Sequence, residues 1–382
     1  MKREIHLWDL PIEKIYIKLE DKFRENFFKL AYEKYGSWNK LANFFGIKRG
    51  DTLIARDWNK GICCAPLSQI FTIGKEINLS KEDIERNIIE IKCKNKLNKR
   101  GGASGKPILY PKLPIVVNED FIEILGHICG DGHISRSNPK KGITLKYINS
   151  EKKLIGSFIE KIRKVFGNIE PNVQIRSGPS YRRENFSLQY PTIISLIVLT
   201  VFDCKSNDEK DLPEFIFELS EKEKCCFLRA LFDDEGTVSV KEKRICIGLK
   251  PKNVVEKIRN LLIDLGFNPG KIFFSGGINK INIEKERDIL LFKRLIGFKH
   301  PTKAERLNLI IENNWKFRRY ENGEIKNKVL FFLKEKKETK TEELIRFLKR
   351  HPSTIRMHLN NLRNKNLVKS MKDKNDLLWS LK

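Results

Sequence analysis

Ile124-Leu125-Gly126-His127-Ile128-Cys129-Gly130-Asp131-Gly132 and Leu228-Arg229-Ala230-Leu231-Phe232-Asp233-Asp234-Glu235-Gly236 are one phrase written twice. Each is an apolar run closed by an acid and a glycine, and the two acids stand 104 positions apart. Such a run among helical neighbours reads as a buried helix. Gly126 and Ala230 fall at the same place in the two copies, and with Gly130 they are small enough to let two helices approach closely. Gly132 and Gly236 are expected to stop the helices in a left-handed cap, a conformation glycine takes without steric cost. Asp131 and Glu235 then become the last side chains of their helices.

A helix C-terminus carries partial negative charge and free carbonyl oxygens. One carboxylate there is uncomfortable, and two brought side by side are worse. A divalent cation, Mg²⁺ or Mn²⁺, relieves both problems by taking a few carboxylates together with phosphate oxygens and water. Such a site can activate water and stabilise the leaving oxygen of a phosphodiester. Asp131 and Glu235 are therefore the expected metal ligands and catalytic acids. Asp234 replaces a small residue before the second acid, where it either tunes the metal site or faces solvent. His127 and Cys129 are expected to pack rather than ligate, because no second His or Cys lies at zinc-like spacing.

Composition points the same way. Lys+Arg number 75 against 49 Asp+Glu, a net charge of +26 over 382 residues, and the excess is spread along the chain. That charge implies a polyanionic partner, with nucleic acid the leading candidate. No apolar stretch approaches membrane-spanning length, so no membrane partner is expected. Met1-Lys2-Arg3 is not followed by a secretory apolar segment. The 8 cysteines form no C-x-x-C pair, which suits a reducing interior and a cytoplasmic, nucleoid-associated location.

The paired motif resembles that of the LAGLIDADG homing endonucleases, in the free-standing, archaeal-type single chain with two repeats. The resemblance implies an α+β fold with a duplicated αββαββα core, whose two antiparallel sheets form a saddle on double-stranded DNA. Residues 115–212 would be the first repeat and 213–320 the second. The phrases Phe158-Ile159-Glu160-Lys161-Ile162-Arg163 and Val254-Val255-Glu256-Lys257-Ile258-Arg259 run in matching register. Strand runs are expected at 143–148, 173–176 and 185–190, then at 244–249, 271–275 and 280–283. A β-ribbon fits the major groove, and alternate residues can read base edges there. Arg176, Tyr181, Arg182, Arg183 and Gln189 are candidates in the first sheet, and Lys241, Lys243, Arg244, Lys280 and Asn282 in the second. The family often sets a lysine near its acids; Lys303 matches that place, with Lys205 as its counterpart, and a lysine can help neutralise the reacting phosphate. One chain supplies both repeats, so the resemblance implies a monomer on an asymmetric site.

Two modules flank this core. Residues 1–95 read as mostly helical, with Ser37 capping a helix to Phe45 and Asp51 capping a second through Trp58. A helix, a short glycine turn and a helix have the spacing of a helix-turn-helix, placing Lys48, Arg49, Arg56 and Lys60 near DNA. Residues 96–114 form a basic Gly/Pro linker whose glycines miss the phosphate-loop spacing. Residues 325–382 read as a winged helix, with helices at 325–334, at 341–348 capped by Thr341, and at 351–362, followed by strands at 367–371 and 377–381. Ser353, Thr354, Arg356 and Arg363 face outward from the third helix. Three rival functions remain. An intein is disfavoured by Met1 and Leu381-Lys382 at the chain ends; an intron RNA maturase and a transcription regulator would use the fold as a scaffold.

Overall fold

A computed structural model describes residues 3–47, 50–93, 106–135, 144–177, 184–202, 211–315, 323–348, 350–373 and 376–382. The chain mixes helices with several small antiparallel sheets and forms two compact units, one of residues 1–239 and 244–304, the other of 240–243 and 305–382.

The first unit opens with β1 (Glu4–Ile5), β2 (Ile15–Leu19), α1 (Asp21–Tyr35), α2 (Trp38–Phe44), β3 (Ala65–Pro66), α3 (Leu67–Glu76), α4 (Lys81–Arg86), β4 (Ile88–Cys93), β5 (Ile108–Leu109) and β6 (Ile115–Val116). This is less helical than the sequence suggested, because β3-β2-β4-β5 form one sheet. Alternation along β2 buries Ile15, Ile17 and Leu19, a period-2 pattern too short to stand out among helical neighbours. Ser37 caps α2 by accepting from Lys40 N–H, and Gly46 turns the chain at φ +64°. The next segment, Asp51–Trp58, is a π-helix preceded by Gly50, so Asp51 is its first residue and not its cap. Part of the expected linker is structured. Ile108–Leu109 pairs with β4, and Leu109 bridges Asn168.

Next come α5 (Glu119–Cys129), β7 (Gly132–Ser135), β8 (Thr144–Asn149), α6 (Lys152–Phe166), β9 (Asn172–Arg176), β10 (Asn185–Tyr190) and α7 (Thr192–Phe202). The same order of helices and strands recurs in α8 (Glu221–Glu235), β11 (Gly236–Ser239), β12 (Arg244–Leu249), α9 (Lys252–Asp264), β13 (Phe273–Ser275), β14 (Ile278–Ile283) and α10 (Glu286–Leu295). Both sheets have the same strand order, β7-β8-β10-β9 and β11-β12-β14-β13. Period-2 patterning sets their faces: β8 buries Leu145, Tyr147 and Asn149, and β12 buries Ile245, Ile247 and Leu249. α5 packs along α8. Asn118 caps α5 at Phe121 N–H, and Ser220 with Glu223 forms a capping box on α8.

α11 (Pro301–Trp315) runs across the boundary between the units. Beyond it stand α12 (Glu324–Lys336), β15 (Glu338–Lys340), α13 (Thr341–Leu348), α14 (Pro352–Asn364), β16 (Val368–Asp373) and β17 (Asp376–Leu381). Val329, Leu333, Leu344, Ile355, Leu359 and Trp379 lie in their shared core. The sequence reading missed β15, three residues that pair with β17. Thr341 is the first residue of α13 rather than its cap, and its hydroxyl accepts from Trp379 Nε1–H at 3.0 Å.

Candidate metal centre and nucleic-acid interface

The helix pair meets where the sequence is smallest. A Cβ added to Gly126 would lie 2.4 Å from Phe227 O and 2.8 Å from Ala230 Cβ, so the backbones touch at the glycine. Gly130 faces Asp234, whose Cβ would be 2.7 Å from an added Cβ. Gly132 and Gly236 serve a different purpose from the expected left-handed caps. Gly236 has φ −75°, and Gly132 is not among the positive-φ residues. Added Cβ atoms would meet Ile128 Cα at 2.3 Å and Phe232 O at 2.5 Å respectively. Glycine is needed there because the outgoing strand folds tightly back over its own helix.

The acids end their helices unequally. Glu235 is the last residue of α8, whereas α5 stops at Cys129 and Asp131 lies two residues beyond. Burial, then Asp234, then Glu235 push the Asp131 carboxyl up to about 7, opposed by Lys303 and His127. Asp131 Oδ2 accepts from Asn149 Nδ2–H at 2.8 Å. Asp233, at the place of Cys129 in the first copy, accepts the backbone N–H groups of Lys299 and His300 at 3.0 and 2.9 Å. Burial still pushes its carboxyl up to about 6.

The sequence reading brought Lys303 to the acids, and its charge does act on Asp131 and Glu235. Its ammonium, however, donates to the carbonyls of Phe232, Asp233 and Asp234 at 3.1, 2.5 and 3.1 Å. An ammonium has three protons, and here they meet the three carbonyls at the α8 C-terminus, so Lys303 caps that helix end. Burial lowers its pKa from the ordinary lysine value.

Asp234 and His127 are the residues whose roles the sequence left open. Both side chains are fully buried, and His127 Nδ1 lies 3.0 Å from Asp234 Oδ2. The signal was present: aspartate stands opposite glycine at the same motif position, so one copy supplies the space that the other fills. Among the described residues no group of three or more His, Cys, Asp and Glu side chains could hold a metal alone. Asp131 and Glu235 lie near enough for the charge of one to act on the other.

The outward faces of the two sheets carry several nucleic-acid candidates. In the first, Gln189 stands between Lys146 and Asn172, and exposed Arg176 pairs with Asn185 on the edge strand. In the second, Arg244 pairs with Ser239, and Lys280 crosses Gly248 with its Cγ 2.8 Å from an added Cβ. Asn282 pairs with Cys246. Lys243 turns the chain at φ +52° and, with Lys241, belongs to the second unit. Arg56 is exposed and ion-paired with Asp57 at 2.7 Å. Arg356 is exposed on α14. Lys48, Arg49, Tyr181, Arg182, Arg183 and Lys205 lie outside the described residues.

A family model described as "Bacterial regulatory protein, arsR family" matches residues 323–370. Among curated proteins, the chain is 28% identical over 211 residues to a glutamine–fructose-6-phosphate aminotransferase of Methanocaldococcus jannaschii, covering 54% of this chain and 18% of that protein. It is 26% identical over 329 residues to a probable translation initiation factor IF-2 of the same organism, covering 80% of this chain and 26% of that protein. It is 25% identical over 179 residues to a DNA polymerase of a Thermococcus species, covering 46% of this chain and 10% of that protein. The chain thus spans between a tenth and about a quarter of these relatives. Among solved structures, the homing endonuclease I-DmoI in complex with DNA and Mn is 20% identical, with TM-score 0.36, covering 47% of this chain and 97% of that one. Full-length DUF199/WhiA from Thermatoga maritima is 18% identical, with TM-score 0.35, covering 65% and 90%. No helix of the described residues is long and apolar enough to cross a membrane.

Proposed function

We propose that this chain is a site-specific, divalent-metal-dependent endonuclease of the homing type, acting on double-stranded DNA as a monomer. The observation that carries the proposal is the acid pair. Asp131 and Glu235 arrive from two helices that touch at a glycine, and burial, then the charge of Asp234, then that of Glu235 hold the Asp131 carboxyl up to about 7. Carboxylates crowded in this way favour a hard cation with oxygen ligands. Bound there, Mg²⁺ or Mn²⁺ would supply an activated water and stabilise the leaving oxygen. The protein's own part is to orient the two carboxylates. Lys303 fixes the α8 end and offsets part of the charge. The outward sheet faces with Arg176, Gln189, Arg244 and Lys280 would lie on the duplex, helped by a net charge of +26.

The three curated relatives support the reading indirectly. An aminotransferase, a polymerase and an initiation factor share no chemistry, yet each matches this chain over a minor part of its length. Matches to proteins of unlike chemistry, each over a minor part of that protein's length, fit an inserted segment better than a remnant of any one of them. The arsR-type match at 323–370 favours a second reading, a DNA-binding regulator without cleavage. A cleavage selection on a random-site duplex library with Mg²⁺, run beside Asp131→Asn, separates the two. Cut sites that vanish in the variant are expected. Tight binding to a selected site with no cutting in Mg²⁺ or Mn²⁺ would replace the enzyme by the regulator.

A further inference from the structure

The two halves of the site are not chemically equivalent. Gly132 pairs with Tyr147 and Gly236 with Ile247, so Tyr147 corresponds to Ile247 and Asn149 to Leu249. Along the helices, His127 corresponds to Leu231 and Gly130 to Asp234. One half carries three polar side chains where the other carries three aliphatic ones, and the aspartate that meets them comes from the opposite helix.

Four donors converge on that aspartate. Asp234 Oδ1 accepts from Tyr147 Oη–H at 3.0 Å and Asn149 Nδ2–H at 3.2 Å. Asp234 Oδ2 accepts from His127 Nδ1–H at 3.0 Å and the backbone N–H of Asp131 at 3.4 Å. The tyrosine proton is committed to Asp234, which makes His127 Nδ1 the donor; its Nε2 is buried with no partner among the described residues. A carboxylate accepts about four hydrogen bonds, so Asp234 has no lone pair left to ligate a cation. Its effect passes through Asn149. Asn149 Oδ1 accepts from Glu151 N–H at 2.8 Å, which turns the amide nitrogen toward the acids. That nitrogen bridges Asp234 Oδ1 and Asp131 Oδ2.

We propose that Asp234 is a positioning residue: through Asn149 it holds the Asp131 carboxylate in one orientation, with Oδ2 on the amide and Oδ1 presented as the ligating atom. At the corresponding places of the second copy, Leu231, Ile247 and Leu249 offer no side-chain donor. In a buried site each of these hydrogen bonds is stronger than it would be in water, and Asp234 reaches them over Gly130, where a Cβ would stand 2.7 Å from Asp234 Cβ.

The inference rests on the endonuclease reading above, and its test separates the two. Mn²⁺ binding to the full-length protein without DNA is measured by electron paramagnetic resonance of the free ion. Single-turnover cleavage and DNA affinity in Ca²⁺ are measured beside it for Asp234→Asn, Asn149→Leu and the double variant. Each single variant should bind Mn²⁺ about tenfold or more weakly, as when an outer partner of a ligand is removed. Cleavage should slow while DNA affinity holds, and excess Mn²⁺ should restore the rate. The double variant should be no worse than the weaker single, because both break one chain of contacts. If Asp234→Asn loses its native melt, Asn149→Leu decides alone, since it removes the bridge and leaves Asp234 its bonds to Tyr147 and His127. Unchanged Mn²⁺ affinity in a folded variant, with Asp131→Asn still abolishing binding and cutting, overturns the positioning role alone. Equal Mn²⁺ binding by wild type and Asp131→Asn overturns the reading beneath it.

Discussion

α5 reaches the site with one carboxylate, Asp131, set two residues past the helix, whereas α8 reaches it with three, Asp233, Asp234 and Glu235, all inside the helix. A helix C-terminus repels carboxylates, and the surroundings of α8 answer that repulsion group by group. Asp233 is tied to the backbone of Lys299 and His300, Asp234 to four donors, and the carbonyls of the last turn to Lys303. Two copies of one phrase have thus separated into unlike halves. One offers an acid and the side-chain donors His127, Tyr147 and Asn149; the other offers three acids and Lys303 on its last carbonyls.

The largest expected effect comes from the acids. If the proposed endonuclease reading holds, Asp131→Asn and Glu235→Gln should each lower cleavage of both strands by about a hundredfold or more, because both carboxylates would then serve one metal site. Metal-free DNA binding should hold or tighten as negative charge facing a polyanion is removed. Nicking gels and gel shifts check this, and a variant that still cuts one strand at the wild-type rate breaks the shared-site picture.

Next is the helix contact. Gly126→Val should destabilise by about 1–3 kcal/mol through overpacking. Ala230→Gly in the same chain should not rescue it, because the nearest obstacle is the Phe227 carbonyl. Thermal melts of the single and double variants read this directly. Lys303→Met should cost about 1–3 kcal/mol by removing the ammonium's hydrogen bonds to the carbonyls at the end of α8, and its denaturant midpoint should fall without a change in slope.

The last expected effect is on pH dependence. The folded chain holds the Asp131 proton up to about 7, above the ordinary 3.8. Its cost to stability is therefore absent at pH below 3.8, grows as pH rises toward 7, and is constant above. Asp233 adds the same sign with its midpoint at about 6. Melting temperature measured across this range without metal should fall less steeply in Asp131→Asn than in wild type. An identical slope would mean that Asp131 ionises as an ordinary surface acid.

Much of this was legible in the sequence because it follows from periodicity and repetition. The two motif helices, the small residues between them and the strands around 144–149 and 244–249 needed no tertiary information. What escaped depends on partners distant in the chain. Tyr147 lies in the expected strand 143–148 and Asn149 just past it; only the fold brings them to Asp234, 87 and 85 positions away. Lys303 was found by family likeness, yet its place on the carbonyls of α8 is a property of helix ends that spacing cannot show. The sheet of the first ninety residues was missed because β3 and β5 are two residues each and gain strand character from pairing with β2 and β4.

Those short strands bear on modularity. β5 lies after the glycine-rich stretch but completes the sheet that precedes it, and β1 at the start of the chain pairs with β6 just ahead of α5. Arg3 forms an ion pair with Glu223 on α8, and Gly167 lets Tyr110 O come within 2.6 Å of where a Cβ would stand. Two polypeptides divided between 93 and 106 would each carry half of the β4–β5 and β1–β6 pairings and of the Arg3–Glu223 ion pair. They should therefore reassemble as complementing fragments, and the first ninety residues are better regarded as an interlocked part of the scaffold than as a bead that recombination could exchange.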